Sequence, residues 1–114
     1  MAGRYDIKCD QGSTFRRVFT WKDSTGALIN NAGYSAKMEV RPVTGGAPVL
    51  TASTANAKIS LGGAAGTITV TFSATDTNGV TAGFYAYDLE MTSGTGDITR
   101  ILEGDFHMRK QVTL

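Results

Sequence analysis

"GFYAYDLEM", Gly83 to Met91, is the stretch on which the fold turns. Read with a period of two, Tyr85, Tyr87, Leu89 and Met91 fall on one face and Ala86, Asp88 and Glu90 on the other. That alternation describes a half-buried strand, because a helix would space its apolar residues three and four apart. Asp88 and Glu90 also raise the question of chemistry. Two apart on a strand, their Cβ atoms would lie about 7 Å from each other, within range of a glycosidase carboxylate pair. Such a pair needs a cleft and one carboxyl with a raised pKa, and an outward strand face supplies neither. The two carboxylates read as the solvated or interface face of a strand.

The same period recurs along the chain. In "GYSAKMEVR" (Gly33–Arg41), Tyr34, Ala36, Met38 and Val40 face in, while Ser35, Lys37, Glu39 and Arg41 face out. "GTITVTF" (Gly66–Phe72) sends Ile68, Val70 and Phe72 inward and its threonines outward. "RYDIKC" (Arg4–Cys9) places Tyr5, Ile7 and Cys9 on one face. "TFRRVFTW" (Thr14–Trp21) does so with Phe15, Phe19 and Trp21, but Arg17 intrudes, so either a bulge re-aims it or its stem snorkels outward. "VLTAS" and "KISLGG" are short strands around a "TAN" turn, and "ITRILEGDFHMRKQVTL" is one long final strand or a pair broken near Gly104.

Punctuation lies between these runs. "KDSTGALI" (Lys22–Ile29) is a hairpin turn with Gly26 at the left-handed position. "PVTGGAP" (Pro42–Pro48) interrupts a strand, since neither proline can donate to a ladder. "TSGTGD" (Thr92–Asp97) is a further turn. Only "SATDTNGV" (Ser73–Val80) suits a helix: a serine cap and a single turn closed at Asn78-Gly79. The predicted fold is all-β, a single antiparallel β-sandwich of the immunoglobulin-like kind with eight or nine short strands. A parallel sheet would require helical crossovers for which the chain has no room. The predicted core contains Trp21, Tyr34, Met38, Val40, Ile68, Val70, Phe72, Tyr87 and Leu89. One domain spans residues 1–114, with residues 1–3 a loose start and no internal repeat.

Composition narrows the function. Charged residues make up 18% of the chain, below the usual quarter, and the net charge is +1, too balanced for electrostatic nucleic-acid binding. Cys9 is the only cysteine, so no intramolecular disulfide forms, and its strand face makes it a small buried hydrophobe. His107 is the only histidine, which removes multi-histidine metal sites and leaves any Ser-His-Asp triad dependent on that one residue. "GGAAG" (Gly62–Gly66) lacks the Lys-Ser/Thr of a phosphate loop and precedes a strand. "DSTG" and "SGTGD" offer one carboxylate each, too few for calcium. The aromatics recur on inner faces, so a carbohydrate-binding platform, which would need two or more on an outward face, is the minor alternative. Neither a leader nor a long apolar run is evident, and no membrane role is expected. No catalytic residue, cofactor or metal is expected.

Read in order, the Gly-x-Thr-Phe strand, "WKD" with its hairpin glycine, "GYSAKMEVR", "GTITV", "YAYDLE" and "RILEG" resemble a small β-sandwich common in tailed-phage genomes. It is similar to the N-terminal domain of phage baseplate upper proteins and to the sandwiches of tail-fibre and collar proteins, over about residues 4–112. The resemblance implies a virion component without an enzymatic site, assembled in the host cytoplasm, docking fibres, baseplate or collar parts. This sequence lacks the helical linker and further domain of the baseplate proteins, which points to a stand-alone subunit; a capsid cement or decoration protein is the alternative. The implied partners are other virion proteins and copies of the chain itself. The outward residues expected to meet them are Lys37, Glu39, Arg41, Asp88, Glu90, His107, Arg109 and Gln111. The last stretch, "DFHMRKQVTL", turns His107, Arg109 and Gln111 one way and Phe106, Met108 and Val112 the other. It is expected to pair with its own sheet or reach to a neighbouring subunit.

Overall fold

Alternating runs too short to bury themselves must cover their apolar faces with one another, and here they do so as two facing sheets. The structure is a computed structural model and describes residues 3–110. One sheet has six strands: β1 (Gly3–Arg4) and β2 (Ile7–Asp10) flank β9 (Ile98–Arg109), followed by β8 (Gly83–Thr92), β4 (Ser35–Pro42) and β5 (Leu50–Ser53). The other has three, in the order β3 (Phe15–Thr20), β7 (Thr67–Phe72) and β6 (Ile59–Leu61). A short helix, α1 (Ala74–Asn78), and a 3-10 turn at Gly63–Ala65 complete the elements. This is the strand order of an immunoglobulin-like sandwich.

The sheets are not wholly antiparallel. β1 and β2 run parallel to β9, with Gly3 opposite Leu102 and Ile7 opposite Phe106, whereas every other pairing is antiparallel. The expectation failed because a helical crossover is needed only when parallel neighbours are close in sequence. Here the rest of the domain serves as the connection. Gly3, expected to be loose, is part of this pairing.

Local readings resolve in detail. β3 matches β7 residue for residue from Phe15 opposite Phe72 to Thr20 opposite Thr67, so no bulge re-aims Arg17. Its stem snorkels instead: the guanidinium sits 4.9 Å from the Phe15 ring centroid and donates to the Arg16 carbonyl. β9 continues unbroken through Gly104, and the irregularity lies earlier. Pairing jumps from Leu89–Leu102 to Glu90–Arg100, leaving Ile101 as the extra residue of a bulge. Gly26, at φ +86°, occupies the left-handed position of its hairpin, which Asp23 closes by accepting from the Thr25 and Ala27 amides. Ser73 and Asp76 form a reciprocal capping box at the start of α1.

The core follows the strand parity. Met38, Val40, Ile68, Val70, Phe72, Tyr87 and Leu89 are buried, joined by Ile7, Cys9, Phe15, Phe106 and Met108. Trp21 and Tyr34 are only partly buried and meet edge to face, with ring centroids 5.3 Å apart, at the margin of the cluster. Buried polar groups are paired. The Asn31 amide donates to the Thr67 carbonyl and accepts from the Gly63 amide, and Thr77 Oγ1 donates to the Ser13 carbonyl. Beyond α1, the Tyr85 hydroxyl donates to the Thr81 carbonyl at 2.6 Å. A tyrosine near the start of this strand, bonded a few residues upstream, is the corner of immunoglobulin-like domains.

Candidate interaction surfaces

The outward residues of β4, β8 and β9 form one charged face. Register sets Lys37 opposite Glu90 and Glu39 opposite Asp88 on one side of β8, and Asp88 opposite Glu103 and Glu90 opposite Arg100 on the other. Five of the residues expected to contact partners (Lys37, Glu39, Arg41, Asp88 and Glu90) are thus brought together. Most of their charge is satisfied within the face. Glu39 meets Arg41 at 2.8 Å and Lys37 at 3.4 Å, and Arg100 meets Asp88 at 3.3 Å and Glu103 at 3.7 Å. The Arg41 guanidinium holds the Glu39 carboxyl below the usual glutamate range. Such exposed pairs each contribute about 0–1 kcal/mol, and they leave little charge to attract a partner.

No cleft accompanies Asp88. The depression lined by Glu39, Arg41, Ala86 and Asp88 has a volume of about 130 Å³, well under the few hundred of a ligand pocket. Among the described residues, no group of three or more His, Cys, Asp or Glu side chains is placed to hold a metal.

His107 and Arg109 lie farther along β9, away from the charge lattice. His107 stacks on exposed Phe84, with ring centroids 4.2 Å apart and planes 10° from parallel, and Arg109 pairs with Asp10 at 2.6 Å. Gln111 and Val112 lie outside the described residues. The segment from Phe106 to Arg109 pairs with β2 on one side, and Phe106 to Met108 pair with β8 on the other. It therefore presents no free edge to a neighbouring subunit, and the open edges of the sandwich are elsewhere.

One of them is β3, the terminal strand of the three-stranded sheet. Arg16, Val18 and Thr20 on β3 stand beside Thr71, Thr69 and Thr67 on β7 and share their outward face, with Ser60 beyond Thr69. No carboxylate lies among these strand residues, and Val18 is 58% exposed. Behind the same edge, a groove of about 480 Å³ separates β3 from the first half of β9. Its lining includes Phe19, Trp21, Lys22, Ile68, Ile101 and Leu102. Sequence reasoning missed this groove and the outward Phe84. The signal for the groove was the Arg16-Arg17 pair inside an otherwise aromatic strand, which marks an edge. Cys9 is buried, and desolvation together with the Asp10 carboxylate pushes its thiol up to about 11.

No family model matches this chain, and no curated protein matches it. Among solved structures, it is similar to CopC from Methylosinus trichosporium OB3b, with 14% identity, 95% of this chain and 89% of that chain covered, and a TM-score of 0.49. It is also similar to murine CRIg, at 8% identity, 93% and 92% coverage and a TM-score of 0.39. Tim-1 follows at 13% identity, 100% and 97% coverage and a TM-score of 0.36. At such identities and scores nothing about binding or activity transfers, and the fold rests on the strand order itself.

Proposed function

We propose that this chain is a structural protein of a tailed-phage virion, a docking subunit that links tail-fibre, baseplate or collar components through protein–protein contacts. The ordered run of sequence motifs carries this reading. Its partners are other virion proteins and copies of itself, and it is assembled into the particle in the host cytoplasm. The physical character of the sandwich supports the same reading. Its outward features are a self-neutralised charged face, a threonine-rich face and unpaired strand edges, which suit packing and strand addition better than turnover of a small molecule. We propose no enzymatic role.

The test is to purify particles from cells carrying this gene and determine their protein composition and density by mass spectrometry and cryo-microscopy. Multiple stoichiometric copies on the tail are expected. Density on the capsid surface would instead make the protein a cement or decoration subunit, and its absence from particles would overturn the reading.

The Phe84–His107 stack favours one second reading, a carbohydrate-binding module, because it places two aromatic rings on an outward face. The rings cover each other, however, and leave one phenylalanine face for a sugar. A glycan array that detects no ligand, or whose signals survive Phe84→Ala, disposes of it.

A further inference from the structure

We infer that the groove between β3 and the first half of β9 is a docking site for an extended, acidic segment of another polypeptide, which adds to the β3 edge as a strand. The inference rests on the docking reading above for the existence of a partner, and it names the surface and the partner's chemistry.

Four observations carry it. First, β3 ends its sheet, so among the described residues one row of its backbone groups faces no strand. Trp21 donates to the Gly66 carbonyl, on the β7 side. Alternation then turns the amides of Val18 and Thr20 to the open side. Second, among the described residues β1 pairs with β9 at Leu102 and Glu103, and the groove lies beside Thr99 to Leu102 of β9. Third, its floor is apolar, with Phe19, Trp21, Ile68, Ile101 and Leu102 ready to take alternate side chains of an added strand.

The fourth observation is charge. Arg16, Arg17 and Lys22 lie on this strand or directly after it, and none of the three forms an ion pair among the described residues. Carboxylates elsewhere are mostly matched to cations of the other sheet. A strand alternating apolar and acidic residues would place its apolar set in the groove, where Lys22 is among the lining residues, and its acidic set on the outward face beside Arg16. The same charges argue against a second copy's β3, which would bring arginine against arginine.

Trp21 is the only tryptophan and lines the groove, so its fluorescence reports occupancy directly. The probe is a capped eight-residue peptide alternating valine and glutamate, with the valine–lysine peptide as control. Saturable, salt-weakened binding of the acidic peptide is expected, with little response to the basic one. Val18→Pro removes an open-side donor without touching the β7 ladder, and with Arg16→Glu plus Lys22→Glu it should weaken binding by about tenfold or more. Circular dichroism melts confirm that both variants are folded. No saturable change up to about 1 mM peptide, or equal binding of the basic peptide, would overturn the inference. Concentration-dependent self-association that disappears in Val18→Pro would overturn it in favour of a second copy. Because the readout is peptide binding to isolated protein, its failure is separable from absence of the protein from particles.

Discussion

The Tyr85 hydroxyl reaches back four residues to the Thr81 carbonyl, 2.6 Å away, and locks the connection between α1 and β8 onto the strand it leads into. Tyr85 is largely buried, whereas Thr81 is exposed and its carbonyl can turn to water once the hydroxyl is gone. Replacing Tyr85 with phenylalanine keeps the ring in the core and removes only that bond. A loss of about 0.5–1.5 kcal/mol is expected, read as a lower urea midpoint with an unchanged m-value. An unchanged midpoint would mean that the corner does not contribute.

Parity in β7 gives a second test. Val70 has no exposed surface, whereas its neighbour Thr69 lies on the outward, threonine-rich face. Val70→Asp should abolish soluble folding, since an unpaired buried carboxylate costs several kcal/mol. Thr69→Asp should leave a cooperative melt. Similar melting of the two variants would refute the assignment of faces.

Much of this fold was legible because its strands are amphipathic. A period of two in "YAYDLEM", "AKMEV" and "TITVTF" fixes which side is buried without knowledge of the partner strand. The serine cap of α1 was equally legible, since Ser73 and Asp76 bond within four residues of sequence. The parallel pairing of β1 and β2 with β9 was not, because it joins the two ends of the chain and has no local signature. The outward charges were correctly placed, but not their mutual neutralisation, which depends on the register between β4, β8 and β9. The groove was hidden for a similar reason: it lies between β3 and the first half of β9, strands of different sheets, and so depends on packing rather than composition.

Three carboxylates titrate below their ordinary range, Asp23 in its exposed turn and the ion-paired Glu39 and Asp76, and acid should weaken the fold through the paired two. Hydrogen bonding from Lys58 holds the Asp76 carboxyl below its ordinary 3.8, and Arg41 does the same for Glu39 relative to 4.5. A folded-state pKa below the unfolded value means that the unfolded chain binds more protons in that window. Their contribution is therefore complete above about pH 5 and is lost as the pH falls through the folded values. Urea titrations across this range should show declining stability, with a smaller decline in Asp76→Asn. A flat profile would show that these pairs add nothing to the folded state.

The Cys9 thiol should be inert in the native protein. It is buried, and its titration is pushed up to about 11, so few thiolates form near neutral pH and fewer meet reagent. Labelling by a chromogenic disulfide at about pH 8 should be slow and should accelerate with urea in step with global unfolding. Rapid labelling without denaturant would indicate local opening of β2 from β9.

Gly104 is the position on which the parallel pairing depends. It lies beside the passage of the chain from β1 to β2, and a Cβ there would press on the Tyr5 carbonyl oxygen and stand 2.9 Å from Asp6 Oδ1. The surrounding bonds all tie the N-terminal strands to the sheet. Tyr5 donates its amide to the Glu103 carbonyl, Asp105 donates its amide to Asp6, and the buried Tyr87 hydroxyl donates to the Tyr5 carbonyl. Since the nearest atom is backbone, Gly104→Ala cannot be absorbed by a side-chain rotation. It should cost about 1–3 kcal/mol, as overpacking of a filled site does. Displacing the Tyr5 carbonyl also removes the acceptor of Tyr87. Tyr87→Phe should therefore cost less in the Gly104→Ala background than in the wild type, a non-additivity measurable by a double-mutant cycle. Strict additivity would show that the alanine is accommodated without moving Tyr5, and that the glycine is not what allows β1 and β2 to lie against β9.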